Sequence, residues 1–94
     1  MRARVISASI KPGRWDEAVD IYRSLETEFK EQKGFEWACF LGDSESGRAI
    51  SVTFWDSQDS LDGSVWSDQL ARFVDTLDTM PEMEQYDVTF ETQR

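Results

Sequence analysis

The spacing of apolar residues changes period several times along this chain, and that change limits its architecture more than any other feature. Arg4 to Ile10 reads as a strand, and Lys11-Pro12-Gly13 ends it. Trp15, Ala18, Val19, Tyr22, Leu25 and Phe29 then recur at helical spacing and make one apolar face. Asp16 and Glu17 fall in the first turn of that helix, where negative charge suits its dipole. Lys30 and Lys33 lie near its end, and Gly34 suits a C-terminal cap. Phe35 to Leu41 is a short apolar run, Gly42 to Gly47 a turn and Ala49 to Trp55 a further strand, so the pair reads as a hairpin. Asp56 or Ser57 caps a second helix from about Gln58, which Gly63 breaks or bends and which resumes from Ser67 to Thr79. Leu70, Phe73, Val74 and Leu77 form its inner stripe, and Pro81 ends it. From Glu84 to Thr92, Tyr86, Val88 and Phe90 alternate with Asp87, Thr89 and Glu91, as in a last strand.

The resulting order, β-α-β-β-α-β, is the ferredoxin-like α+β arrangement, an antiparallel sheet with two helices on one face. Two helices cover only one side of such a sheet, yet the central hairpin is apolar on both. Phe35, Trp37, Cys39 and Leu41 share one parity, Ala38 and Phe40 the other; Ile50, Val52 and Phe54 oppose Ala49 and Trp55. A face like that needs a cover, most simply the same face of a second copy in a homodimer.

At 94 residues the chain has room for one domain, spanning 1–94. Its formal net charge of −9 argues against nucleic-acid and membrane-surface roles, because phosphate backbones and anionic lipids would be repelled. No apolar run approaches the roughly 18 residues of a membrane span, and the N-terminus alternates too soon for a signal peptide. One cysteine, Cys39, allows no internal disulfide and fits a cytoplasmic setting; its apolar neighbours suggest an inert core thiol. The sequence contains neither His nor Asn, which excludes Ser-His-Asp and Cys-His sites, a His-ligated haem and the usual zinc site. Asp56, Asp59 and Asp62 before Gly63 do not fit a calcium loop either. With Gly63 in the sixth position, Gln58 and Gln69 would occupy the first and twelfth. No metal site is expected.

The first helix after Pro12-Gly13, Gly34-Phe35 opening the next strand, and Trp55-Asp56-Ser57-Gln58-Asp59-Ser60-Leu61 leading into the second helix together resemble the antibiotic biosynthesis monooxygenase family. This is part of the dimeric α/β-barrel group. The resemblance implies two sheets packed face to face in a dimer, with a pocket in each subunit between its own sheet and helices. It also implies a cofactor-free oxidation of a small aromatic or phenolic compound. Haem-degrading relatives are expected to carry Asn, Trp and His where this chain has Ile6, Ser64 and Val74, so haem degradation is not expected.

The candidate pocket residues are Tyr22, Trp55, Ser64, Trp66 and Arg72. Trp55 either stacks on an aromatic ligand or packs beneath the second helix. Tyr22 either aims its hydroxyl into the pocket or packs in the core with one hydrogen bond. Ser64 stands where many relatives have His. Trp66, off the inner stripe, is a pocket rim, a dimer contact or plain packing. Arg72 either holds an anionic substrate or lies on a solvated helix face. A non-catalytic ligand-binding module and a structural dimer remain open beside the enzyme.

Overall fold

The computed structural model describes residues 1–64 and 68–94. Its elements run β1 (Arg2–Ser9), α1 (Trp15–Ser24), α2 (Glu26–Glu31), β2 (Phe35–Asp43), β3 (Arg48–Trp55), α3 (Gln58–Asp62), α4 (Asp68–Asp75) and β4 (Glu82–Asp87). The four strands form one antiparallel sheet in the order β2-β3-β1-β4. This is the ferredoxin-like α+β fold. No helix among the described residues is long and apolar enough to cross a membrane.

Each predicted helix is divided. Leu25 keeps helical angles between α1 and α2 and is buried, so the apolar face continues across the junction. Ser57 caps α3 by accepting a hydrogen bond from the Ser60 amide at 3.2 Å, and Gly63 closes that helix. The periodicity predicts a second helix running to Thr79, but α4 stops at Asp75. The backbone beyond it is committed elsewhere: the Lys11 amide donates to the Thr76 carbonyl and the Asp78 amide to the Ser9 carbonyl, both at 2.8 Å. Helix end and strand end are thus joined, and Ile10 bridges Leu77 just beyond β1. Lys11 Nζ and Arg14 Nη1 each donate to the Asp75 carbonyl at 2.9 Å, placing two cations at the negative end of α4.

The last strand is also shorter than its alternation predicts. Its ladder with β1 runs from Ser7↔Glu82 to Arg2↔Asp87, and the Val88 amide then donates to the Met1 carbonyl. Residues 89–94 have no β1 residue opposite them, and Phe90 is 82% exposed.

Cross-strand register sorts the side chains between the two faces. Arg4 pairs with Thr53, Ile6 with Ser51 and Ala8 with Ala49, all on the face toward the helices. There Ile10, Ala18, Ile21, Ala49, Phe73 and Leu77 make the core, with Trp15, Tyr22 and Phe40 packed against them. The opposite face carries Val5, Val52, Cys39 and a Trp37–Phe54 ring stack with centroids 4.0 Å apart. A β-bulge between Phe35 and Trp37 corrects the expected grouping of these two residues. The extra residue turns Phe35 back toward the helices, against Phe29 and Trp55. Cys39 is likewise not a core thiol; it is half-buried on the outer face.

Gly34 opens β2 at φ +79, where a Cβ would strike the side chains of Ser60 and Asp56. Gly13 has φ +81 but nothing around it. Both Gly→Ala variants incur the left-handed backbone cost of about 1 kcal/mol. We expect Gly34→Ala to lose at least a further 1 kcal/mol or so from the clash. Equal losses in denaturant titration would contradict this packing of the cap.

Candidate functional site

A cavity of about 260 Å³ lies between the inner face of the sheet and the helices. Its existence follows from side-chain size. At one end the rings of Tyr22, Phe40 and Phe73 meet, with centroids 4.6 to 5.8 Å apart. Elsewhere Trp55 and Leu61 are fully buried. Beyond Trp55 at its end, β3 contributes Ser51 and Thr53 to the floor, side chains too small to fill the space beneath α4. Ile6 and Met83 extend the floor, while Phe29, Leu70, Phe73 and Val74 form much of the helical wall.

The polar groups on the wall are few and held in place. Tyr22 Oη and Ser51 Oγ lie 2.8 Å apart and share a hydrogen bond. Burial pushes the Tyr22 phenol above its usual pKa, and the bond to Ser51 offsets part of that shift. The tyrosine is therefore a neutral hydroxyl at physiological pH. Trp55 Nε1 donates to Thr53 Oγ1 at 2.9 Å, which fixes the indole against β3 with its NH satisfied. Arg4, only 8% exposed, extends from β1 along the wall. Its Nη1 donates to Ser64 Oγ and its Nη2 to the Leu61 carbonyl, both at 3.2 Å.

Of the residues singled out from sequence, Tyr22, Trp55 and Ser64 meet at this cavity. Trp55 is packed at 1% exposure and forms part of the wall. Trp66 lies outside the described residues. Arg72 requires a correction: it is exposed on α4, where it donates to Gln69 Oε1 at 3.1 Å, and the cation on the cavity wall is Arg4 instead. The parity of β1 carried the missed signal, since Arg4 shares a face with Ile6 and Ala8. Ile6, Ser64 and Val74 all line the cavity. Among the described residues no group of three His, Cys, Asp or Glu side chains is placed to hold a metal ion.

The tyrosine makes a testable contribution to stability. Its folded pKa is raised, so that contribution is complete below the unfolded value of about 10 and falls as pH rises toward the folded value. We expect Tyr22→Phe to cost about 1 kcal/mol at neutral pH, the worth of one buried hydrogen bond. The variant should also lose less stability than the parent above pH ~10. Parallel alkaline profiles in chemical denaturation would contradict this environment.

Comparison with known proteins places the cavity in a family context. No curated protein matches the chain significantly in sequence. Among solved structures, a conserved protein from Methanosarcina mazei superposes with a TM-score of 0.77 at 22% identity, covering 92% of this chain and 91% of its own. A point mutant of SnoaB, a cofactor-independent oxygenase from Streptomyces nogalater, gives 0.82 at 10% identity over 99% and 97%. A mutant of MhuD with two manganese protoporphyrin IX molecules bound per active site gives 0.79 at 13% identity over the full length of both chains. At these identities the structures establish a shared fold. Residues 1–88 match the family model for antibiotic biosynthesis monooxygenase, and this chain belongs to that family.

Proposed function

We propose that this chain is a cofactor-independent monooxygenase acting on a small, readily oxidised phenol held in the cavity. The observation that carries the reading is the cavity itself: an apolar chamber with a few fixed polar groups, in a chain of this family. The chemistry closes without an added reductant. A phenol with a ring C–H plus O₂ gives a quinone and water; one oxygen atom forms the new carbonyl, the other leaves as water, and the ring supplies all the electrons. The chain's part is to hold the ring against Phe73 and Leu70, exclude water and position the phenolic oxygen near the hydroxyls of Tyr22, Ser51 and Ser64. At about 260 Å³ the cavity suits one or two rings better than a large polycycle.

A second reading, a binding protein without turnover, is favoured by one specific observation. The described lining includes no carboxylate, and the chain has no His, so no ordinary general base stands at the cavity. Oxygen uptake with a panel of hydroquinones and naphthols separates the two readings. The oxygenase predicts uptake that Val74→Trp, which fills the cavity from a part-exposed wall position, reduces at least tenfold while leaving the circular dichroism unchanged. Binding without uptake would leave the second reading.

We also propose that two copies pair through the outer sheet face. Trp37 at 42% and Leu41 at 53% exposure, with Ile50 and Tyr86, form an apolar surface that no helix among the described residues covers. Sedimentation should give a dimer at micromolar concentration, and Trp37→Glu should shift it to monomer. A monomeric parent would contradict the pairing.

A further inference from the structure

The hydroxyls on the cavity wall present a surplus of hydrogens. Tyr22, Ser51, Thr53 and Ser64 all line the chamber. Tyr22 and Ser51 share one hydrogen bond, which uses one of their two hydroxyl hydrogens whichever of them donates. Neither hydroxyl has another hydrogen-bond partner among the described residues, so one hydrogen of the pair is left over. Ser51 is only 8% exposed, and an unmatched donor at such a site is costly. Burial keeps the Tyr22 phenol protonated, so the pair holds both hydrogens at physiological pH. Thr53 accepts from Trp55 Nε1 and Ser64 from Arg4 Nη1, and in both bonds the hydroxyl's own hydrogen takes no part. The described lining offers few acceptors in return. It has no carboxylate, the nearby Leu61 carbonyl accepts from Arg4, and Gln32 at the end of α2 is the one lining side chain with an amide carbonyl.

We infer that the ligand of this cavity is a small aromatic carbonyl compound, a ketone or quinone, whose oxygen accepts the surplus hydrogen of the Tyr22–Ser51 pair. This rests on the reading of the cavity as a ligand site given above, and adds the polar group that the ligand must carry. A carbonyl oxygen brings two lone pairs and no hydrogen, whereas a phenol brings a further hydroxyl hydrogen that needs an acceptor in turn. Phe73, with its ring centroid 5.7 Å from that of Tyr22, gives the ligand's ring an apolar surface beside the pair. Within the oxygenase reading the compound that meets this description is the quinone product, so the wall favours what the reaction forms over what it consumes. Either partner alone supplies the donor. In Tyr22→Phe the Ser51 hydrogen is released, in Ser51→Ala the Tyr22 hydrogen, and only the double variant has none.

The test uses tetramethyl-1,4-benzoquinone, its hydroquinone and 1,2,4,5-tetramethylbenzene, three molecules of similar outline. The hydroquinone has no ring C–H, so it binds without being oxygenated. Anaerobic binding is measured for the parent, both single variants and the double variant, each checked for folding by circular dichroism and thermal melting. The double variant should lose at least about fivefold in quinone affinity, less in hydroquinone affinity and almost nothing for the hydrocarbon. Each single variant should stay within about twofold of the parent for the quinone, because one donor remains. The infrared carbonyl band of the bound quinone should lie below its position in hexane in the parent and both single variants, and return toward it in the double variant. Equal losses for quinone and hydrocarbon, a larger loss for the hydroquinone, or a single variant as weak as the double would overturn the inference. An unshifted carbonyl band in the parent would overturn it without any variant. So would binding of none of the three, which would also remove the cavity as a ligand site.

The outcome is separable from that of the oxygenase reading. The expected variant pattern without oxygen uptake from the phenol panel leaves the carbonyl site standing and removes the oxygenase. Uptake from the panel together with an unshifted quinone band does the reverse.

Discussion

The contact among Tyr22, Phe40 and Phe73 is the constraint on which the rest of the structure depends. These rings come from α1, β2 and α4, and they meet at centroid distances of 4.6 to 5.8 Å. They tie both helical segments to one edge of the sheet and close one end of the space beneath them. Large rings at the end and small residues, Ser51 and Thr53, on the floor leave a void that ordinary core packing would have filled. A cavity of this kind forfeits dispersion contacts along its walls. Its retention in a chain too short for a large core is therefore a physical argument for use.

A second constraint comes from having a single helical layer. The inner face of the sheet buries Ala49 and Trp55, while the outer face presents Trp37 stacked on Phe54 with Leu41 and Ile50 beside them. Cavity and outer face are opposite consequences of one register. A one-residue slip would exchange them, sending Ser51 and Thr53 outward and Val52 and Phe54 into the cavity. The bulge after Phe35 shows how closely that register is managed, because it returns one aromatic to the inner layer without disturbing the strand that follows.

Much of this was legible in the sequence. Element order and the two-sided hairpin follow from local periodicity, and Gly34 with the Trp55-Asp56-Ser57 segment marked the family. Element ends were less legible, because partners distant in sequence set them. Met1 and Arg2 limit β4, and Ser9 and Lys11 limit α4 through bonds to Asp78 and Thr76. The cavity was half legible. Tyr22, Trp55 and Ser64 carried recognisable types, whereas Arg4 read only as the first residue of a strand until register set it opposite Thr53. A buried cation is rare enough that sequence reading favours the exposed alternative, and Arg72 fits that exposed alternative. Only the pairing of β1 with β3 distinguishes the two arginines.

The central claim is that small aromatic molecules enter between the sheet and the helices. Methyl NMR tests it most directly, because apolar markers stand on both faces. On addition of 1-naphthol, ring currents should shift the methyl signals of Ile6, Leu70, Leu77 and Val74, which line the cavity. Those of Leu41, Ile50 and Val52 on the outer face should stay where they are. Shifts confined to the outer face, or none in either set, would contradict the account.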